Sequence, residues 1–144
     1  MAIHETLRLE FSLPELDQLS THLFAWHWLH YSGIAGHSSD ILVGVRDATF
    51  KVGSMDLGEF FVSMELFERA LNFKWEIIIV YAPSDHRHSA TFLDELRRKV
   101  SVAPLPVVVG GDFNLPCFAK DKNNDLLNFP WMQMFNDCIT DLGL

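Results

Sequence analysis

Glu59 to Glu68 alternates with the period of a strand. Phe60, Val62, Met64 and Leu66 fall on one face, and Phe61, Ser63, Glu65 and Phe67 on the other. Ala70-Leu71-Asn72-Phe73 supplies a turn, and Trp75 to Ala82 reads as a second, more apolar strand, so the pair predicts an antiparallel hairpin. Upstream, Phe24, Trp26 and Trp28 alternate against Ala25, His27 and Leu29, which predicts a strand from Phe24 to Tyr31. Gly33 to Asp40 reads as a loop and Ile41 to Val45 as a short buried strand. Residues 1 to 5 predict another short strand, with Ile3 and Glu5 on one face.

Helical spacing appears in three places. Ser12-Leu13-Pro14-Glu15 opens a short helix whose apolar positions are Leu13, Leu16 and Leu19; Ser12 or Leu13 caps it, and Pro14 suits the first turn. Ser89 is expected to cap a helix to about Val100, with Phe92, Leu93, Leu96 and Val100 as its buried stripe. Asp94 and Glu95 are read as early residues, and Arg97, Arg98 and Lys99 as late ones, in the order the helix dipole favours. A last helix starts at Phe129-Pro130, with Trp131, Met134, Phe135, Cys138, Ile139 and Leu142 at spacings of three and four. Between the last two helices, Pro106 to Val109 is a buried strand that runs into Gly110-Gly111-Asp112-Phe113-Asn114. This mixed order predicts an α+β or α/β fold in layers, sheets inside and helices outside.

Composition narrows the class. With 144 residues, 49% hydrophobic and 12% aromatic, the chain is the size of one domain and can fill a core. Eleven basic residues stand against nineteen acidic ones, a formal charge of −8, which argues against a protein that coats nucleic acid through charge alone. It leaves room for an enzyme that meets phosphates through a metal ion, because such a site needs carboxylates. No apolar run is long enough for a membrane helix, and Glu5, Arg8 and Glu10 stand where a signal peptide would be apolar. Two cysteines, Cys117 and Cys138, give neither a disulfide framework nor zinc spacing, so a reducing, intracellular setting is expected.

Three short segments could carry chemistry. Asp112 and Asn114 at a strand end place an acid and an amide on one face if the chain stays extended, about 6 to 7 Å apart. Such a pair can hold a water and a phosphate oxygen, Asp112 taking a proton and Asn114 fixing the orientation; as plain turn formers they would do neither. Tyr81, in Val80-Tyr81-Ala82-Pro83, shares a face with Ile77 and Ile79 and can donate its hydroxyl to a phosphate oxygen, or sit at the rim of the core with that hydroxyl in water. Glu5, in Ile3-His4-Glu5-Thr6, is a carboxylate that could bind one hard divalent ion, or simply a charge near the N-terminus.

Taken together, His4-Glu5-Thr6, Tyr81-Ala82-Pro83 and Gly111-Asp112-Phe113-Asn114 resemble the endonuclease/exonuclease/phosphatase superfamily. More narrowly, they resemble the endonuclease domain of plant LINE-type (non-LTR) retrotransposons. Ile41 to Val45, Phe73 to Glu76 and Asp121 to Asn124 extend the likeness over nearly the whole chain. The resemblance implies a layered β-sandwich flanked by helices and a Mg²⁺-dependent phosphodiesterase, with Mn²⁺ as a substitute ion. In that setting Glu5 is the metal ligand, Asp112 positions or activates the attacking water, and Asn114 and Tyr81 contact the scissile phosphate. It further implies DNA as substrate, a reverse-transcriptase domain in the parent polyprotein, and a nuclear location. The lipid- and inositol-phosphate branch of the superfamily shares the same three motifs.

The departures from the family pattern predict an incomplete domain. The family's first strand, with its Asn, and its closing Asp-His pair have no counterpart, His4 replaces a Gln, and Gly36 to Asp40 stands where the family has Gly-Gly. Residues 1–144 are therefore expected to form a single partial domain lacking roughly a third or more of its length. Sheet edges would be left open, so instability alone, or a non-catalytic relic, is a second expectation. Asp121 to Asp125 opens like a calcium loop, but Leu126 and Met132 stand where Gly and Glu are required. The near pairs His27/His30 and His86/His88 lack further ligands.

Overall fold

The computed structural model describes residues 2–3, 11–20, 22–32, 38–116 and 129–144. Glu5 and its neighbours His4 and Thr6, Gly36 and His37, Cys117 and the stretch Asp121 to Asp125 lie outside the described residues. The elements run β1 (Ala2–Ile3), α1 (Leu13–Ser20), β2 (Ala25–Ser32), β3 (Ser38–Val45), β4 (Phe50–Leu57), β5 (Phe61–Glu68), β6 (Phe73–Tyr81), α2 (Ser89–Ser101), β7 (Val107–Asp112) and α3 (Phe129–Leu142).

The strands form two sheets: β1-β3-β2, all antiparallel, and β4-β5-β6-β7, in which only β7 runs parallel to its neighbour. Ile41, Val43 and Val45 of β3 pack against Val62, Met64 and Leu66 of β5 and Ile79 of β6, and this is the core between the sheets. The opposite face of the four-stranded sheet carries Phe61, Ile78 and Val80, covered by Phe92, Leu93 and Leu96 of α2 and by Phe135 and Cys138 of α3. The result is sheet on sheet with helices outside, as the layered α+β expectation required. Cys138 is free and buried, and that burial raises its thiol pKa.

The predicted hairpin forms with Glu68 opposite Phe73 and Phe61 opposite Val80; Asn72 takes a left-handed φ of 50° in its turn. At α1, Ser12 and Glu15 make a reciprocal cap, in which the Ser12 carbonyl accepts from the Glu15 amide and the Glu15 carboxylate accepts from the Ser12 amide at 2.9 Å.

Three expectations need correction. First, Ser38 to Asp40 belong to β3 and not to a loop. Second, β4 has no counterpart in the predicted elements. Its register slips between Val52 and Met55, and this bulge breaks the alternation that would have marked it. Third, Ser89 does not cap α2. It is the first helical residue, buried, and its hydroxyl has no partner among the described residues; Asp85 instead caps the short 3₁₀ turn His86–His88 just before it.

Asp94 and Glu95 also lie past the first turn of α2. Glu95 and Lys99 stand three and seven residues after Phe92, on the buried stripe, so both must find partners on the sheet. Lys99 Nζ lies 2.8 Å from Glu76 of β6 and 3.0 Å from Asp56 of β4, and 5.4 Å from the centre of the Phe61 ring. Glu76 is a buried acid on β6, so this pair anchors α2 to the sheet. Burial works against the Lys99 ammonium, but hydrogen bonds to Glu76 and Asp56 outweigh it and raise the pKa above its ordinary 10.5.

Lys99→Met therefore leaves Glu76 buried without a counter-charge and destabilises the fold by about 3 kcal/mol at pH 7 in urea unfolding, with Glu76→Gln added to it restoring part of the loss. Because the folded pKa is the higher one, the Lys99 contribution is complete below 10.5 and disappears as pH rises through the folded value. The stability gap between wild type and Lys99→Met should accordingly close in strongly alkaline buffer. A gap that stays constant would show that the ammonium charge plays no part.

Candidate functional site

The carboxyl ends of β6 and β7 meet because the two strands are parallel. Their register sets Ile77 beside Val108, Ile79 beside Gly110, and Tyr81 beside Asp112. Lateral neighbours share a face, so Tyr81 and Asp112 leave the sheet on the side of the inter-sheet core, against which Tyr81 packs. Asp112 is exposed.

Gly111 makes this register possible. Its φ is 137°, and a β-carbon there would lie 2.0 Å from the Val80 carbonyl oxygen. Gly110 has open space around the same position, so of the two glycines only Gly111 is required for the close approach. Phe113 then turns to the helix side, its ring centre 6.4 Å from that of Phe92 and 5.1 Å from that of Phe135. With Phe113 anchored in the helix-side core, Asp112 is fixed towards the opposite face.

Asn114 departs from the extended geometry. At φ 46° it is left-handed, so it does not stand beside Asp112 as on a continued strand. Its amide N–H donates to Asp112 Oδ1 at 3.0 Å, and its Nδ2 donates to the Ala82 carbonyl at 2.7 Å. The Ala82 amide in turn donates to the Asp112 carbonyl at 2.7 Å. Asn114 thus ties the loop after β7 to the loop after β6 and sets the distance between Tyr81 and Asp112.

A second tie, absent from the sequence reading, comes from α2. Glu95 accepts the amides of Glu59 at 2.7 Å and Phe60 at 2.9 Å, and the Phe60 carbonyl accepts the Tyr81 amide at 3.0 Å. The readable signal was an acid on the buried stripe of a helix. In the segment that follows β6, the Asp85 carboxylate takes the Arg87 side chain at 2.6 Å; that hydrogen bond holds its pKa down at about 2 and occupies the guanidinium.

The residues present suit a hard divalent ion in part. Mg²⁺ keeps several waters and takes only one or two carboxylates plus substrate oxygens, and Asp112 offers one exposed carboxylate. The second, Glu5, lies outside the described residues; among those described, no cluster of three His, Cys, Asp or Glu could cage a metal. A surface cavity of about 570 Å³, lined by residues including Phe24, Arg46 and Thr49, includes neither Tyr81 nor Asp112.

No family model matches the chain, and no curated protein matches it in sequence. Solved structures do match. The D. rerio TDP2 structure in complex with a single-strand DNA product aligns over 99% of this chain at 13% identity with a TM-score of 0.53. A humanized D. rerio TDP2 aligns over 80% at 15% identity, TM-score 0.53, and an endonuclease/exonuclease/phosphatase family protein from Bacteroides thetaiotaomicron over 87% at 11%, TM-score 0.50. The chain has the endonuclease/exonuclease/phosphatase fold. It spans about half the length of these structures: 50%, 52% and 50%. Within that fold, the parallel pair β6–β7 and the Gly111 approach are what bring the phenol and the carboxylate together.

Gly111→Ala should be severely destabilising, by more than about 3 kcal/mol, because the added carbon forces β6 and β7 apart. Gly110→Ala should change stability by less than about 1 kcal/mol. Chemical denaturation of both variants checks the contrast, and equal effects would contradict the close approach.

Proposed function

We propose that this chain carries part of a metal-dependent phosphodiesterase site that acts on DNA, in a single partial domain of LINE-retrotransposon type. The observation that carries the reading is the placement of Tyr81 beside Asp112 at the carboxyl ends of adjacent parallel strands. A phenol that donates a hydrogen bond and a carboxylate that accepts one face the same space, which suits a phosphate oxygen and a water on one rim. Further support comes from the TDP2 structure with a single-strand DNA product, which shares the fold.

In this reading Asp112 orients the attacking water and accepts its proton. Tyr81 donates to a non-bridging phosphate oxygen. Asn114 holds the two loops in register and keeps its amide beside the phosphate. Glu5 and a phosphate oxygen would hold Mg²⁺, or Mn²⁺ in its place, and the ion when bound would stabilise charge on the phosphoryl oxygens. A reverse-transcriptase domain in a parent polyprotein is the partner this origin implies.

One observation favours a second reading, a non-catalytic relic. The hydrogen bonds of Asp112 and Asn114 close a turn on their own, with the Asn114 amide on Asp112 and the Asn114 side chain on Ala82.

Plasmid nicking decides between the two. The chain should convert supercoiled DNA to the nicked form in Mg²⁺ and lose this activity in a chelator, and Asp112→Ala should slow it by about 10²- to 10⁴-fold. Absence of nicking, or equal nicking by Asp112→Ala, supports the relic. Release of phosphate from inositol phosphates without nicking would point to the other branch of the fold.

A further inference from the structure

The helices cover the outer face of the four-stranded sheet only in part. Beyond the Lys99–Glu76 pair, Lys51 of β4 stands opposite Phe67 of β5, and Phe67 opposite Lys74 of β6. The three side chains therefore leave the sheet on one face in a row. With strands about 4.8 Å apart, the two lysines start about 10 Å apart with the aromatic ring between them. The row borders a cavity of about 340 Å³ that Gly53 and Glu65 also line. The Glu65 carboxylate lies over Gly53, where a β-carbon would meet Oε2 at 2.9 Å.

Four of the other described cations are committed to carboxylates, while Arg46 and Arg98 are exposed, have no acidic partner among the described residues and have no aromatic ring set between them. Lys99 is held by Glu76 and Asp56, Arg69 by Asp47, Arg87 by Asp85, and Arg97 by Asp94 and Asp141. Lys51 and Lys74 are exposed, and among the described residues neither has an acidic partner. In a chain of net charge −8, two uncommitted ammonium groups thus flank one half-buried ring. A ring offers a stacking surface to any base, and cations on either side suit the phosphates before and after it. Glu65, two residues before Phe67 on β5 and on the same face, can accept an N–H from a base edge.

We propose that this shelf binds a single strand of nucleic acid, one base stacked on Phe67 and its flanking phosphates on Lys51 and Lys74. The proposal rests on this face alone and does not depend on the reading of Tyr81 and Asp112. It is tested by fluorescence anisotropy of a short labelled oligothymidylate with the full chain in chelator, where no turnover occurs.

Phe67→Ala should weaken binding by about 5- to 100-fold. The double variant Lys51→Gln/Lys74→Gln should weaken it too and lower the slope of log affinity against log salt by about 1.4. Arg46→Gln/Arg98→Gln removes the same charge from exposed sites elsewhere and should leave that slope unchanged. If Phe67→Ala loses the native circular dichroism, the exposed lysine pair still decides. Thymidine monophosphate should compete only weakly.

Three results would overturn the shelf: no binding by wild type, equal losses in the two charge-matched double variants, or competition by the mononucleotide as strong as by the oligomer. A chain that binds through the shelf yet never nicks DNA refutes the phosphodiesterase and keeps the shelf.

Discussion

At the end of the parallel pair β6–β7, the Val80 carbonyl oxygen occupies the space where any residue but glycine at position 111 would put its β-carbon. This contact, with Gly111 at φ 137°, keeps the strands paired to their last residues. Because side chains alternate along a strand, the same register decides which face Asp112 takes. A slip of one residue would send its carboxylate into the helix-side core with Phe92 and Phe135, where an unpaired charge is costly. Phe113 reinforces the choice by filling that core itself.

The rim is also held from outside. Glu95 and Lys99 lie on the buried face of α2 and engage opposite needs of the sheet: Glu95 accepts two amides of the β4–β5 turn, and Lys99 neutralises the buried Glu76. The helix is thus tied to the sheet by polar contacts as well as by Phe92, Leu93 and Leu96. One of these ties reaches Tyr81 through a single peptide, since Phe60 both donates to Glu95 and accepts from Tyr81. Two surfaces are then separated in space. The Tyr81–Asp112 rim faces the inter-sheet side, and the Lys51–Phe67–Lys74 row lies on the outer face near the β5–β6 turn.

Much of this fold was readable from residue spacing. The β5–β6 hairpin, the stripe of α3 and the strand leading into Gly110-Gly111 each follow one period over many residues, and each stands in the structure near its expected place. β4 escaped because its bulge shifts the period midway and most of its residues are exposed. The cap at Ser89 failed because a 3₁₀ turn precedes α2 and takes over the role through Asp85. At the site, the proximity of Tyr81 to Asp112 depends on parallel pairing of strands separated by a helix, which no local pattern encodes. The conformation of Asn114 is hidden from the sequence for a related reason: its side chain satisfies a carbonyl 32 positions away, and that bond accompanies its departure from an extended course.

The register of β6 against β7 is the premise beneath the rest, and a hydrogen-bond scalar coupling in an isotope-labelled sample measures it directly. The amide nitrogen of Ala82 should couple to the carbonyl carbon of Asp112, and the Ala82 amide should be protected from solvent exchange. A coupling to residue 111 or 113 instead, or free exchange at Ala82, would place the Asp112 carboxylate on another face or leave it unpositioned, and the phenol and the carboxylate would no longer share a rim.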